Sequence, residues 1–345
     1  MALPLPDEHV AESTPREIAT NFVGLLVLFL LANGLALWWL SGHTVNLSTF
    51  ILQSKWSLLE ELDQPADWLV VGDSSGNQGV NTTLLEKELG GTAVNLCTVA
   101  DMGLVDDAWM VDEHIRRLGA PRNVIVIHVY DTWHRRDNQM RDVLISVRPP
   151  IDWREREPQI DLDSGDRRDI FIAEYFTAWL PLYSQNASLK YLVMHPIAAN
   201  GPAPFELDET GFMPRTDATP ENVERDVASH VRFLGKRSFS VSETNEAGLA
   251  RLLELSAEHG FPLYIVNGPA EESLAASEKY RAYFADLQEW LADQIAPFPQ
   301  ADLVFTEPQG FPASQLENAD HLTIEGAAIY TQRLAGAVRE SQEMR

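Results

Sequence analysis

The sequence contains a single cysteine and only five lysines among its 345 residues. Cys97 therefore has no intramolecular disulfide partner, which excludes a disulfide-bonded scaffold. The 51 acidic residues outnumber the 26 basic ones, and the formal net charge is −25. An acidic surface repels the phosphate backbone, so we expect no nucleic-acid partner. With 45% hydrophobic residues, the chain is nevertheless long enough to bury a sizeable core.

Charge is also absent from residues 22–40, where Asn33 is the only strongly polar residue. At 1.5 Å per residue, a helix of this length just crosses a hydrocarbon core of about 30 Å. Trp38 and Trp39 stand at its end, where aromatic residues meet the membrane surface. A cleaved signal peptide is the alternative, but the run is long for one and no small-residue cleavage motif follows closely. We predict a transmembrane anchor over 21–41 that contacts membrane lipid.

The anchor divides the chain into a short and a long part. Residues 1–20 are polar with two early prolines and are predicted to be a disordered tail. Residues 42–65 are predicted as a partly helical connector, and residues 66–345 as one α/β domain. Arg16 precedes the anchor and Lys55 follows it, so the flanking positive charge does not determine the orientation in the membrane.

Strand-like and helix-like segments alternate after the connector. Strands are predicted at 67–74, 92–99, 123–131, 262–269 and 302–306, and helices at 82–89, 104–118, 243–259, 272–295 and 324–343. Because parallel strands need crossover helices, this order predicts a doubly wound, three-layer α/β fold with a five-stranded parallel sheet. Residues 132–242 lack the alternation and are predicted to be a large insertion after strand three.

Two polar segments are expected to meet at one rim of this sheet, because ligands bind outside the carboxyl ends of the strands. Ser74 leaves the first strand, and His321 lies in a loop before the last helix. A serine hydroxyl is a weak nucleophile until a nearby histidine acts as its base. The pair therefore predicts acyl chemistry, with Ser74 as nucleophile and His321 as base. Trp133, in the inserted region, is a candidate for lining the cleft.

The sequence predicts neither a metal nor a cofactor. His128, Asp131 and His134 are spaced three apart, but side chains with this spacing at a strand exit do not share a face. The glycine-containing run at 72–77 lacks the lysine and the spacing of a P-loop, which argues against nucleotide binding.

The segments around Ser74 and His321 resemble motifs of the SGNH (GDSL) hydrolase superfamily, whose fold is flavodoxin-like. Gly72-Asp73-Ser74 resembles the family's first block, and His321 lies where its last block has a histidine. The resemblance covers residues 66–131 and 243–340. It implies that Ser74 is the nucleophile, that His321 is the base, and that the N–H groups of Ser74 and Gly103 form an oxyanion hole.

The run from Asp320 to Ala327 is similar to members of this superfamily that follow a single membrane helix. Several such members are implicated in O-acylation of cell-surface polysaccharides, often beside a multi-pass membrane acyltransferase. The resemblance implies a hydrolase or acyltransferase for acyl esters, O-acetyl groups above all, of a carbohydrate. It also implies a single-pass protein of the cell membrane with its C-terminal domain outside the cytoplasm, and a multi-pass acyltransferase as a partner.

The chain departs from the family's catalytic acid. Asn318 stands where the family has an aspartate three residues before the histidine. An asparagine orients an imidazole, but it cannot stabilise the imidazolium by charge. Asp320 and Glu317 are the nearest acidic alternatives, and a Ser-His dyad assisted by a backbone carbonyl is another.

A second departure concerns the oxyanion hole. The family's third block falls at residues 128–131, and Tyr130 replaces its asparagine just before Asp131. The Tyr130 hydroxyl, Asn77 and Asn267 are alternative donors at the same rim. Together the two departures leave a second hypothesis open: a non-catalytic partner or carbohydrate-binding subunit that retains the fold.

Overall fold

The computed structural model describes residues 14–40, 47–135, 180–184, 189–190, 193–194, 206–216, 218 and 220–345. Residues 1–13 of the predicted disordered tail and most of the predicted insertion at 132–242 lie outside these residues. The prediction is wrong for residues 15–20 of the tail, which are helical because the apolar helix begins at Pro15, before the predicted anchor boundary at 21.

Two helices precede the sheet. Helix α1 (Pro15–Leu40) is long and apolar enough to cross a membrane, and most of its surface is exposed. Helix α2 (Leu47–Glu61) occupies the predicted connector, yet it buries Leu52, Trp56 and Leu59 in the core of the domain. The segment is thus an integral part of the domain rather than a linker.

Before and after the predicted insertion at 132–242, strands and helices alternate as predicted. The first half contains β1 (Trp68–Gly72), α3 (Ser74–Gly79), α4 (Thr82–Leu89), β2 (Ala93–Asn95), α5 (Gly103–Leu118) and β3 (Asn123–His128), then a 3₁₀ turn at Thr132–His134. The central region contributes α6 (Pro181–Ser184) and α7 (Pro220–Leu234). The last part contains α8 (Glu243–His259), β4 (Leu263–Asn267), β5 (Pro269–Glu271), α9 (Glu272–Ala276), α10 (Glu278–Ile295), β6 (Ala301–Val304), β7 (Gln309–Phe311) and α11 (Ile324–Met344).

Five strands form an all-parallel sheet in the order β2-β1-β3-β4-β6, which confirms the predicted five-stranded parallel sheet. Alternate residues of β1 belong to different cores, because successive side chains in a strand point to opposite faces. Leu69 and Val71 pack in the core that includes α5, α8 and α10. Val70 packs in the core that includes α4 and α11. Helices therefore cover both faces of the sheet.

The structure differs from the prediction in four places. The predicted helix 272–295 is broken at Ser277, whose hydroxyl accepts a hydrogen bond from Tyr280 N–H at 3.3 Å and so caps α10. Strands β5 and β7 form a second, two-stranded sheet that was not predicted. Helix α3 was missed because its short sequence, SSGNQG, has no apolar period. Helix α7 was not predicted, because residues 132–242 lack the alternation of strands and helices seen in the rest of the domain.

The turn after β1 requires glycine. Gly72 has φ +144°, and a Cβ there would lie 2.0 Å from the carbonyl oxygen of Ile127 in the adjacent strand. A residue with a side chain fits neither the backbone conformation nor the space. This close approach brings Ser74 to the carboxyl end of the sheet as the first residue of α3.

Candidate active site

Asp73 determines how Ser74 is presented. It is fully buried, and one carboxylate oxygen accepts hydrogen bonds from Ser75 N–H at 2.9 Å and Ser75 Oγ at 2.6 Å, which caps α3. The other oxygen accepts from Val129 N–H at 2.9 Å and Thr132 Oγ1 at 2.8 Å. The carboxylate therefore joins the start of α3 to the chain that leaves β3, and holds Ser74 in place between them.

A buried histidine, His128, lies between Asp73 and a second buried acidic residue, Asp107. His128 Nε2 lies 2.5 Å from Asp107 Oδ2, and its Nδ1 lies 3.3 Å from Asp73 Oδ2. Burial by itself would lower the pKa of His128, but the charge of Asp107 and the contact with Asp73 raise it to about 10. Burial would likewise raise the pKa of Asp73, and His128 and Ser75 hold it well below its ordinary value instead. The positive charge of His128 thus stabilises the Asp73 carboxylate, whereas burial keeps the pKa of Asp107 above its ordinary value.

The structure brings the two predicted catalytic residues into contact. His321 Nε2 lies 2.7 Å from Ser74 Oγ, within hydrogen-bond distance. The loop that carries His321 closes through an isolated antiparallel bridge between Leu316 and Leu322. Thr323 then caps α11, where its hydroxyl accepts from Gly326 N–H at 3.4 Å. This loop geometry directs the imidazole towards the first residue of α3.

Two residues lie at the other ring nitrogen of His321. Nδ1 is 2.8 Å from Asn318 Oδ1, in hydrogen-bond geometry, and 2.9 Å from Asp320 Oδ1. Asn318 Oδ1 also accepts from the backbone N–H groups of Asp320 at 3.1 Å and His321 at 2.9 Å. Asn318 therefore shapes the loop and orients the ring, while Asp320 supplies the negative charge that an asparagine lacks. Glu317 instead pairs with Arg215, since Arg215 Nε lies 3.1 Å from its carboxylate.

The negative charge of Asp320 changes the pKa of His321. Burial by itself would lower the pKa of His321, but the charge of Asp320 and its contact with the ring raise this pKa above the ordinary value of 6.5. Burial would raise the pKa of Asp320, and His321 lowers it instead. This arrangement, in which a carboxylate stabilises an imidazolium, is the one required for a histidine that takes a proton from serine.

Helix α7 places a second histidine behind this pair, which the sequence did not indicate. His230 Nε2 lies 3.9 Å from Asp320 Oδ2 and 3.6 Å from Asp226 Oδ2. Burial would lower the pKa of His230, but its contact with Asp226 and the charge of Asp320 raise it to about 9. His230 is therefore a cation at neutral pH. Asp226 also accepts from Ala319 N–H at 3.2 Å, so α7 supports the His321 loop directly.

The spacing of these groups is compatible with a metal ion, because ligand atoms of Asp226, His230 and Asp320 all lie within 4.8 Å of one another. The contacts between the histidine and the two carboxylates account for the arrangement without one. His230 Nδ1 is also occupied, since it lies 2.6 Å from the Tyr130 hydroxyl.

Ser74 and His321 open into a cleft of about 450 Å³. Its wall is formed by α2, the start of α3, the loop at 99–101, Arg135, α7 and the His321 loop. Ser48 and Ile51 come from α2, so the helix that follows the anchor contributes to the cleft. Charged groups of both signs line it, with Arg225 and Asp226 among them.

Gln78 is a cleft residue that the sequence analysis missed. It follows Ser74 by one helical turn, and only 4% of its surface is exposed. Its Oε1 is buried with no hydrogen-bond partner among the described residues. Side chains in a helix lean back over the preceding turn, so the Gln78 carboxamide lies towards Ser74. Spacing i and i+4 from Ser74 would have identified it, had α3 been recognised as a helix.

The other predicted oxyanion and substrate residues lie elsewhere. Gly103 donates its N–H to Ala100 O at 3.2 Å, and Asn77 is fully buried with its amide nitrogen 3.8 Å from Met213 Sδ. Neither residue is part of the cleft wall described above. Gly103 was expected at the cleft, but the loop residues that line it are 99–101.

Tyr130, Asp131 and Trp133 are not part of the cleft wall either. Tyr130 is buried and its hydroxyl is bound to His230, so it does not reach the serine. Asp131 pairs with Arg135 at 3.3 Å. Trp133 was expected to line the cleft, and this expectation is wrong. Only 1% of Trp133 is exposed, and its ring packs edge-on against Trp290 in the core.

No protein-family model matches this chain, and no curated protein matches it either.

Proposed function

We propose that the protein is a membrane-anchored serine esterase or acyltransferase with a flavodoxin-like domain of the SGNH type. The observation that carries this proposal is the 2.7 Å contact between His321 Nε2 and Ser74 Oγ. A serine at a helix start with a histidine base at hydrogen-bond distance is an arrangement suited to nucleophilic catalysis. The motifs around the two residues, which resemble those of the superfamily, support the same conclusion.

In the first half of the reaction, Ser74 Oγ attacks the acyl carbonyl carbon while His321 Nε2 takes the hydroxyl proton. The tetrahedral intermediate then collapses, the bond to the alcohol oxygen breaks, and His321 returns the proton to the leaving alcohol. An acyl ester on Ser74 remains. In the second half, water or a sugar hydroxyl attacks this ester with His321 again as base, and Ser74 is released.

Asp320 acts as the acid of this triad. Its Oδ1 lies 2.9 Å from His321 Nδ1, so its charge stabilises the imidazolium that forms when Ser74 loses its proton. Asn318 keeps the ring in orientation through the hydrogen bond of 2.8 Å at the same nitrogen. The role that one aspartate has in the superfamily is thus divided between two residues of this loop.

The negative charge that develops on the carbonyl oxygen requires donors. Ser74 N–H is at the start of α3, where the first N–H groups of a helix have no acceptor within the helix. Gln78 adds the N–H donors of its carboxamide from the next turn of α3, at the wall of the cleft. We assign these two groups to the oxyanion hole, in place of Gly103 and Tyr130.

An O-acetyl ester of a carbohydrate is the substrate class that fits the cleft best. The cleft volume of about 450 Å³ suits one or two sugar units, and the polar and apolar walls of the cleft suit a hydroxyl-rich ligand. Whether water or a sugar accepts the acyl group depends on how well the closed cleft excludes water. A multi-pass membrane acyltransferase is the partner that would supply the acyl group in the transfer reaction.

The cleft is close to the membrane if α1 spans one. Only residues 41–46 separate the end of α1 from α2, and an extended chain of that length reaches about 25 Å. Since Ser48 and Ile51 of α2 line the cleft, the reaction takes place near the membrane surface. We place the domain on the extracytoplasmic side of the cell membrane.

Hydrolysis of p-nitrophenyl acetate by the full chain in detergent tests the proposal. The wild-type protein is expected to release p-nitrophenol well above the rate of the Ser74→Ala variant. Equal rates for the two proteins, with and without oligosaccharide acceptors, would favour the non-catalytic, carbohydrate-binding subunit instead.

A further inference from the structure

One face of the predicted anchor is covered by protein. Asn33 and Ala36 are buried, whereas Leu35 and Trp38 between and beside them are 65% and 75% exposed. Residues three apart share a face of a helix. An element of the domain therefore packs on this face of α1.

That element is α6, from the central region of the chain. Leu182 N–H donates a hydrogen bond to Asn33 Oδ1 at 3.2 Å, and Asn33 Nδ2 donates to Phe29 O at 2.9 Å. The only strongly polar side chain of the apolar run is thereby satisfied. A polar group at membrane depth needs such partners, because the hydrocarbon offers none.

The contact lies well inside the apolar run. Asn33 precedes the end of α1 by seven residues, which corresponds to about 10 Å along the helix axis. If residues 22–40 span the hydrocarbon core, Leu182 lies below the membrane surface rather than in the headgroup region. An apolar groove of about 500 Å³ lies nearby, lined by Leu35, Ala36, Trp38 and Trp39 of α1 and by Leu182, Leu189 and Val193.

The described residues at 180–184, 189–190 and 193–194 expose mainly apolar side chains. Leu182, Tyr183, Val193 and Met194 are all large and exposed, and both Val193 and Met194 have about two thirds of their surface accessible. Large apolar side chains that are exposed in a group mark an interaction surface. Lys190 is the only charged residue among the described residues of the region, and a lysine stem is long enough to bring its ammonium to the headgroups.

We propose that residues 180–184, 189–190 and 193–194 form a second membrane-embedded element, docked on α1 and covered by lipid acyl chains. Lipid is favoured over a protein partner because the apolar surface is continuous with the exposed surface of α1 at the same depth. The element would give the domain two attachments to the bilayer and so restrict its orientation. The proposal needs α1 to span a membrane, but it does not depend on the acyl chemistry.

Thiol accessibility tests this placement, since the single native cysteine, Cys97, is fully buried. Single cysteines are introduced as Met194→Cys and Val193→Cys. Leu30→Cys, on the exposed surface of α1, is the control within the bilayer, and Val231→Cys, exposed on α7, is the control in water. Sheared membranes, open to reagent on both faces, are treated with a charged maleimide before and after solubilisation in detergent.

We expect Met194→Cys and Val193→Cys to react at least about tenfold more slowly in membranes than in detergent, because a thiol in hydrocarbon does not ionise. Leu30→Cys should behave in the same way, and Val231→Cys should react at similar rates in both. Reaction of residues 193 and 194 in membranes at the rate of Val231→Cys would overturn the proposal. Equally fast reaction of Leu30→Cys would overturn it too, because α1 would then not be embedded.

Discussion

His321 Nε2 lies 2.7 Å from Ser74 Oγ, although the two residues are 247 positions apart in the chain. Parallel strand order is the reason for this contact, because it places the exit of β1 and the loop before α11 at the same edge of the sheet. In the proposed mechanism, the protonation state of His321 is therefore the main determinant of activity.

Activity should therefore rise with pH as His321 loses its proton. Because Asp320 raises the pKa of His321, the neutral base forms only above the ordinary value of 6.5, and the acid limb of kcat/KM should have its midpoint above 6.5. In Asp320→Asn this stabilisation of the imidazolium is lost. The midpoint should then move to lower pH, while the plateau rate falls about 100-fold. Rates measured from pH 5 to 9 check both effects, and an unchanged profile would remove Asp320 from the triad.

Substitution at position 318 separates orientation from charge. In Asn318→Asp, one carboxylate oxygen can accept the same three hydrogen bonds as the asparagine oxygen, so activity should stay within about tenfold of wild type. The added negative charge should move the acid limb to higher pH. Asn318→Ala loses these bonds, and its kcat should fall. Loss of activity in Asn318→Asp, with retention in Asn318→Ala, would contradict the assigned roles.

Removal of the Gln78 carboxamide should affect catalysis more than binding. Gln78→Met keeps the size of the side chain but not the donor, and kcat should fall about 10²- to 10³-fold with KM little changed. Gln288→Met is the matched control, since Gln288 lies on α10 and both polar atoms of its carboxamide are buried without a partner among the described residues. If both variants retain wild-type kcat, Gln78 is not part of the oxyanion hole.

His230 should influence the base in the opposite direction to Asp320. The cation at His230 faces Asp320 at 3.9 Å and Asp226 at 3.6 Å. In His230→Gln both carboxylates lose this neighbour, so the field at His321 becomes more negative and its pKa should rise. The acid limb of the pH–rate profile should shift to higher pH. A shift to lower pH would show that His230 does not act on the base through Asp320.

Gly72 is expected to be essential for the fold. In Gly72→Ala the new Cβ would lie 2.0 Å from Ile127 O, and the backbone would be strained at φ +144°, so unfolding should occur at a much lower temperature. Gly90→Ala is the comparison, because Gly90 also has a positive φ but no atom within 4 Å of the added Cβ. Its cost should be about 1–3 kcal/mol, because φ 74° with ψ 164° is a conformation that glycine alone adopts readily. Similar melting temperatures for the two variants would contradict this explanation.

The regular parts of the fold could be predicted because apolar strands and amphipathic helices leave a periodic signal. The boundaries of α8, for example, match the prediction, since Ser242 caps its start and Gly260 ends it in a left-handed conformation. Helix α3 could not be predicted in this way, because its six residues form less than two turns and contain no periodic apolar residues. Its stability comes from the Asp73 cap and from burial against the sheet.

The site was predictable only where a residue follows directly from strand order. Ser74 and His321 belong to that class. Asp226 and His230 do not, because α7 reaches the His321 loop from a distant part of the chain and nothing local in its sequence indicates that contact. Trp133 was assigned to the cleft from its residue type alone, and packing against Trp290 decided its position instead.

Covalent labelling of the full chain in detergent with a fluorophosphonate probe is the most direct test of the central claim. Peptide mapping should locate one adduct, on Ser74, in the wild-type protein. Ser75→Ala should still be labelled, because Ser75 Oγ donates to Asp73 and is not the nucleophile. No adduct should form in Ser74→Ala or at pH values where His321 is protonated. Absence of an adduct on Ser74 in the wild-type protein at alkaline pH would contradict the proposed activity.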